Sequence, residues 1–384
     1  MLKHNVIVIA FNAKLADGCD YATQTMQILG RTNDVYGLLL GEPVTWKDIL
    51  SRHAARVVHQ AYGSTLVRPL FVVPGQRFAV IRQFNYFLNA LVLRVWLAFR
   101  HPGYKKVLWF FEPWNMVSIF WAFWGYCSLY DCVDYYHDLG AEWQQGEDFL
   151  IPKVNHMVYH SHTLASVYRK QRPDVRVVPL GFAADVFSRC RRTKEQRKTV
   201  VVGYIGGINY RLDFQLLMQI IQKLPDITFI FVGPLQLNLI PQEQDTREKI
   251  RILFSHPNVR YIGEIAKKSI GTEIASFDVG IIPYDLTFRF NRYSFPMKVM
   301  EYLWFGLPVI ATGIEELKRF PLYVRIADTP NAWITALRSF MSRKQVARRA
   351  GGRTLAASHS WERKIEAISQ ILAAPPPRSQ PQLL

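Results

Sequence analysis

Lys298, Glu301 and Tyr302 stand in an otherwise apolar segment, SFPMKVMEYLWFGLPVIATG, that runs from Ser294 to Gly313. On a helix they fall three or four positions apart and share one edge. Ser294 is placed to cap such a helix and Pro296 to occupy its first turn. Lys298 would then stand where a diphosphate meets both an ammonium and the helix dipole, with Glu301 free to accept hydrogen bonds from two adjacent ribose hydroxyls. Arg289 and Arg292 in the preceding loop add positive charge, and Gly306 closes the helix before a PVIA strand. A surface stripe on an amphipathic helix uses the same residue types, so the neighbouring segments decide between the two.

Two further segments in the same half end strands in a similar way. GYIGGINYRLDFQLL, Gly203 to Leu217, reads as a strand, a double glycine at Gly206 and Gly207, and a helix whose start is marked by Asp213. Glycine permits close backbone approach and a helix start offers N–H groups to an anion. The spacing is not the GxGxxG of a dinucleotide fingerprint, and a tight strand-to-helix turn also uses glycine. NVRYIGEIAKKSI, Asn258 to Ile270, puts Gly263, Glu264 and Ile265 at another strand end. An apolar residue there can cover a flat base while backbone groups read its edge; Glu264 serves equally as a charge favoured by a helix amino terminus. Three strand ends, each suited to part of a nucleotide diphosphate, favour a ligand site. The candidate donor-binding residues are Gly206, Gly207, Arg211, Glu264, Ile265, Arg292, Met297, Lys298 and Glu301.

The other half carries an acidic strand end. In CSLYDCVDYYHDLG, Cys127 to Gly140, a strand runs into Asp131, Asp134, His137 and Asp138. The odd separation of Asp131 and Asp134 puts them on opposite faces of an extended strand, which argues against a shared metal and leaves one of them to face a cleft.

Positioning these groups requires strands alternating with helices, and the chain reads that way from end to end. NVIVIAF, VYGLLL, KVLWFF, CSLYDCV, HMVYHS and VRVVPL are strands of the first half, with helices over Tyr21–Leu29, Val80–Arg100, Met116–Trp124 and Thr163–Arg169. The pattern restarts with TVVVGYIG, ITFIFVG, VRYIG, VGIIPY, LPVIA and VRIAD. The class is α/β, two doubly wound parallel-sheet units in tandem: residues 1–185, then 199–345, a helical segment over 346–373 and a disordered proline-rich tail over 374–384. Ligands in such sheets bind at the carboxyl ends of strands, and the two sets of ends can face each other across a cleft.

At 384 residues, 49% of them hydrophobic, the chain can build two large cores. Forty-seven basic against thirty acidic residues give a formal charge of +17, which points to nucleic acid, phosphorylated ligands or an anionic membrane. The basic residues concentrate in RCRRTKEQRK (Arg189 to Lys198) and SRKQVARR (Ser342 to Arg349) without a nucleic-acid signature, so nucleic acid is set aside. Cys19, Cys127, Cys132 and Cys190 lack CxxC spacing and read as reduced thiols of a cytoplasmic protein. Pro113 to Tyr130 carries no charge and three tryptophans; Asn115, Ser118, Gly125 and Ser128 make it a buried helix running into a strand rather than a membrane span. With FNYFLNALVLRVWLAFR, Phe84 to Arg100, it offers apolar surface with cationic edges, suited to peripheral docking on the inner face of the cytoplasmic membrane.

PMKVMEYLWFGLPVIAT resembles the PxKxxEYxAxGxPVV pattern of bacterial polysaccharide glycosyltransferases of GT-B fold, two Rossmann-like domains with the nucleotide-sugar donor held mainly by the second. VPLGFAADVF, Val178 to Phe187, resembles their interdomain segment, and CSLYDCVDYYHDLG resembles the strand end of the xanthan glucuronosyltransferase and teichuronic-acid-type enzymes, where an aspartate at the Asp134 position faces the acceptor. The resemblance implies diphosphate and ribose roles for Lys298 and Glu301. It also implies a UDP-sugar as donor substrate with no further cofactor or metal, a lipid-linked or polysaccharide acceptor, and Asp134 as general base, with His137 and Asp138 as substitutes. Asp134 could instead be a helix cap or a satisfied loop carboxylate. Many retaining relatives carry a second glutamate eight positions before Glu301; this chain has Tyr293 there, so the expected transfer is inverting. A GT-B nucleotide-sugar epimerase and a non-catalytic membrane-surface protein of the same fold are the alternatives.

Overall fold

Strand β1, Asn5–Phe11, is buried along its whole length, as a continuous apolar run is when helices cover both faces of a parallel sheet. The computed structural model describes residues 2–12, 20–45, 57–188, 190, 199–236, 243–342 and 351–375. They form two units, Met1–Gly181 with Trp361–Leu384, and Phe182–Ser360.

In the first unit β1 is joined by β2 (Asp34–Leu39), β4 (Val58–Ala61), β5 (Ser64–Val67), β7 (Lys105–Phe110), β8 (Cys127–Cys132) and β9 (His156–Tyr159) in the order β4-β5-β2-β1-β7-β8-β9. All neighbours are parallel except β4 and β5, which form an antiparallel hairpin. A short ribbon pairs β3 (Val44–Thr45) with β6 (Leu70–Phe71). The chain fills one side of β1 and then crosses to the other at β7, so the carboxyl ends of β1 and β7 are a topological switch point.

The second sheet contains β10 (Val200–Ile205), β11 (Ile227–Val232), β12 (Val259–Gly263), β13 (Val279–Ile282), β14 (Val309–Ala311) and β15 (Val324–Ile326). It is wholly parallel, in the order β12-β11-β10-β13-β14-β15, with its switch point between β10 and β13. The helix Phe214–Lys223 shows how sequence fixes such a unit. Asp213 accepts a hydrogen bond from Leu216 N at 2.8 Å as its cap. Phe214, Leu216, Leu217, Ile220 and Ile221 form the buried stripe against the sheet.

Three expectations change. VRVVPL makes an isolated bridge, Val177 with Tyr159, rather than a strand, because β9 stops at Tyr159 and the chain turns at once into a helix capped by Ser161. The segment over 346–373 is helical where it is described but divides between the units: Gly352–Ser358 packs in the second, and Trp361–Ala373 in the first. The first unit ends at Gly181 because Trp361 packs on that glycine, where an added Cβ would lie 2.2 Å from the indole. The basic segments lie outside the described residues apart from Cys190 and Ser342, as do Cys19 and the tail beyond residue 375. Pro113 to Tyr130 does form a helix, Met116–Ala122, leading into β8. Among the described residues no helix is long and apolar enough to cross a membrane.

Candidate functional site

The second unit places Lys298 at its switch point. The Lys298 ammonium donates to the Tyr284 hydroxyl at 2.7 Å and to that of Tyr204 at 3.0 Å, and lies 4.8 and 4.3 Å from their ring centroids. Tyr204 belongs to β10 and Tyr284 follows β13, so one lysine spans the two strands between which the order reverses. Burial opposes its charge, but the oxygens of Tyr204 and Tyr284 more than offset this and raise its pKa, keeping the ammonium charged at neutral pH. Arg211 shares the cluster: its guanidinium lies 4.6 Å from the Tyr284 centroid and 4.7 Å from that of Phe290, held by Nε donating to Asn291 Oδ1 at 2.8 Å. For Tyr284, burial alone would raise the pKa, yet the two cations together lower it. Two positive charges around one phenol can attract a multiply charged anion.

Close approach depends on Gly206. Its φ is +134°, and a Cβ there would stand 2.9 Å from Lys298 Nζ. Gly206 N donates to Val232 O at 2.9 Å, and Gly233 N to Gly263 O at 2.8 Å, so the ends of β10, β11 and β12 are tied edge to edge. A Cβ on Gly233 would meet the Gly206 carbonyl oxygen at 2.1 Å. Gly207 lies beside Gln236, whose amide oxygen accepts from Asn209 Nδ2 at 2.9 Å.

The helix start differs from expectation. Ser294 does not cap it; Ser294 Oγ donates to Asn291 O at 2.8 Å and closes the preceding short helix, Arg289–Arg292. The capping position falls on Met297 without a side-chain bond, and the helix is Lys298–Trp304. The first N–H groups are taken by preceding carbonyls, Val299 N by Pro296 O and both Met300 N and Glu301 N by Met297 O. Positive charge is therefore brought here by the Lys298 side chain, not by open helix-end N–H groups. Likewise Gly206 and Gly207 precede a loop, and their helix begins only at Phe214.

The remaining donor candidates lie elsewhere in the same unit. Glu301 is half-buried in the first turn of the Lys298 helix, and Met297 packs on the unit's core. Arg292 is exposed and donates to Leu286 O at 3.0 Å. Glu264 is exposed beyond β12, and Ile265 is half-buried against the core.

In the first unit Asp131 and Asp134 part company for a different reason from strand alternation. β8 ends at Cys132, so Asp134 lies beyond the strand and is half-buried, while Asp131 is fully buried against Lys364 of the last helix. Asp134 shares its surroundings with Tyr136 and Glu112. Burial first, then Tyr21, Asp134 and Glu112, push the Tyr136 phenol well up, and its hydroxyl donates to Phe111 O at 3.0 Å. Glu112 follows β7 at the switch point and is buried, accepting from Asn12 N just past β1. His137 turns elsewhere: its Nε2 lies 3.4 Å from Glu147 and 3.6 Å from Asp148, both on the helix Ala141–Lys153. Asp138 is exposed in the turn His137–Leu139.

Sequence reasoning missed Glu112 and Glu147. Glu147 is fully buried and accepts 2.7 Å hydrogen bonds from the hydroxyls of Tyr130 and Tyr168. Burial, only partly countered by those bonds, raises its pKa to about 7. The available signal for Glu112 was its place directly after an apolar strand; Glu147 had none. Among the described residues no group of three or more His, Cys, Asp or Glu is arranged to hold a metal ion.

Residues 199–343 match the family described as Glycosyl transferases group 1. Over 148 residues the chain is 31% identical to the "Putative teichuronic acid biosynthesis glycosyltransferase TuaH" of Bacillus subtilis (strain 168), which covers 37% of this chain and 35% of that protein. Solved structures align along nearly the whole chain. Sucrose-phosphate synthase (tll1590) of Thermosynechococcus elongatus gives a TM-score of 0.70 at 15% identity, covering 96% of this chain and 98% of its own. A glycosyltransferase of Rickettsia africae ESF-5 gives 0.71 at 13% identity, covering 97% and 98%. Alr3699/HepE of Anabaena, in complex with UDP and glucose, gives 0.67 at 14%, covering 97% and 100%. The fold is GT-B, two Rossmann-like units, and the resemblance to bacterial polysaccharide glycosyltransferases read from the sequence holds.

Proposed function

We propose that the chain is a glycosyltransferase that moves a sugar from a UDP-sugar to a lipid-linked or polysaccharide acceptor in surface polysaccharide synthesis, with inversion and without a metal. The observation that carries this reading is the charged Lys298, held by two phenols at the β10–β13 switch point beside Gly206, within the span that matches the glycosyltransferase family. In the proposed reaction the diphosphate lies against Lys298, Arg211 and Arg292, and Glu301 takes the ribose hydroxyls. The acceptor hydroxyl attacks the anomeric carbon opposite the nucleotide. Its proton passes to a carboxylate of the first unit while the bond to the diphosphate breaks and the cations stabilise the departing charge. Asp134 is the first candidate for that base. Glu112, buried at the first unit's switch point, is the second; His137 and Asp138 follow.

The acceptor's membrane is reached through the helix Ala79–Arg100. Val80, Phe84, Val92, Val95, Trp96 and Phe99 are exposed along it, a stripe suited to the boundary of an anionic cytoplasmic leaflet with the chain peripheral to it.

The test measures UDP-sugar binding and acceptor-dependent UDP release for the wild type, Lys298→Ala, Asp134→Asn and Glu112→Gln. Lys298→Ala should weaken UDP binding by ~10–100-fold, as loss of a charge-assisted contact does. The variant of the true base should keep donor affinity and lose ~100-fold or more in turnover. Unchanged UDP affinity in Lys298→Ala would refute the diphosphate assignment.

A further inference from the structure

We propose that a pocket at the amino-terminal edge of the first unit's sheet binds the phosphate end of one membrane lipid; for the lipid's source this rests on the membrane reading above. The pocket has a volume of about 380 Å³ and lies against the start of β8, the edge of the sheet opposite to Asp134. Phe120, Phe123 and Trp124 give it apolar walls, and Lys153 and Asn155 give it donors.

Both donors are set for an outside acceptor. Asn155 Oδ1 accepts from Ser128 N at 2.8 Å and from Ser128 Oγ at 2.9 Å. That fixes the amide plane and leaves Nδ2 without an acceptor among the described residues. Lys153 is half-buried, lies 4.5 Å from the Phe149 centroid, and makes no ion pair among the described residues. No lining residue is acidic. Lys105 adds a second positive charge, near enough to Cys127 in the lining to oppose the burial that raises its thiol pKa.

The surroundings select a lipid over a free anion. Trp124 is 69% exposed, and Trp121, 49% exposed, packs edge-on against Phe120 at 5.7 Å. Arg94, within the exposed stripe of the long helix, donates to Ala122 O at 3.1 Å, so the stripe and the pocket helix are joined directly. Tryptophans and lysines together suit the headgroup level of a bilayer, where a chain lies on aromatic rings while a phosphate meets ammonium and amide N–H groups.

The full chain is titrated by calorimetry with dodecyl phosphate, dodecyl maltoside and inorganic phosphate, the two amphiphiles below their micelle concentrations. Dodecyl phosphate should bind one to one, at least ~10-fold tighter than either other ligand, and Lys153→Glu should weaken it ~10-fold or more. Cys127→Trp, which fills the pocket, should abolish it. If Lys153→Glu fails to fold, Lys153→Gln carries the same expectation. Equal affinity for the maltoside means an apolar slot, equal affinity for inorganic phosphate means a free-anion site, and either overturns the proposal, as does an unchanged Lys153 variant. Trp96→Glu with Phe99→Glu should release the chain from anionic vesicles yet keep dodecyl phosphate binding, which separates failure of the membrane reading from failure of the pocket.

Discussion

Lys364 Nζ lies 2.8 Å from each carboxylate oxygen of Asp131, although 233 residues separate the two in sequence. Both side chains are essentially removed from solvent, 1% and 0% exposed. Burial raises the Asp131 pKa and Lys364 pulls it back. Lys364→Ala should destabilise the first unit by ~3–5 kcal/mol in urea unfolding, because it strands a buried carboxylate. Asp131→Leu with Lys364→Met should recover most of that loss, since an apolar pair has no charge to desolvate. A double variant no better than the single one would place the stabilisation in the pair itself.

Glu147 makes stability depend on pH in a definite direction. Its carboxyl is raised from 4.5 to about 7, so between those values the folded chain holds a proton that the unfolded chain has released. Stability from this group is fully present below the lower value and falls as pH rises through the higher one, by about 3 kcal/mol in all. His160, pushed down to about 3 by burial, acts in the opposite direction, so the readout is the difference between wild type and Glu147→Gln. That difference, from urea unfolding near pH 5 and near pH 8, should move by ~2–3 kcal/mol in favour of the variant at the higher pH.

Gly206→Ala places a methyl 2.9 Å from the Lys298 ammonium on a backbone at φ +134°. The ammonium must shift or the strand end must open. UDP affinity should fall ~10-fold or more, with a loss of ~1–3 kcal/mol in stability. Calorimetry and urea unfolding on the same preparation read both. An unaltered UDP affinity would detach Gly206 from the proposed anion site.

Much of the architecture was legible because buried parallel strands are continuous apolar runs, from NVIVIAF to VRIAD, alternating with helices; the strand orders that place the two switch points were not. Nor was the hairpin β4–β5. Its turn holds Tyr62 and Gly63 at φ +52° and +66°, a left-handed pair that usually advertises itself as Asn-Gly. The helix Ala141–Lys153 was also silent, since Gly146 and Pro152 interrupt it. Gly146 is there because a Cβ would meet the Pro113 carbonyl oxygen at 2.3 Å, a demand of packing that local sequence does not display. Lys298 was found because its strand-end context is local. Tyr204 in β10 and Tyr284 just past β13, which hold its ammonium, are brought together by the pairing of those strands, and no spacing along the chain announces them.

The return of Trp361–Ala373 to the first unit makes residues 182–360 an excursion out of one unit and back. Grafting experiments inherit a constraint from this route. A chimera that takes its amino-terminal portion from one parent must take the closing helix from the same parent, because Asp131 and Gly181 are fitted to Lys364 and Trp361. The interior stretch, by contrast, would enter such a chimera as a single cassette with two seams.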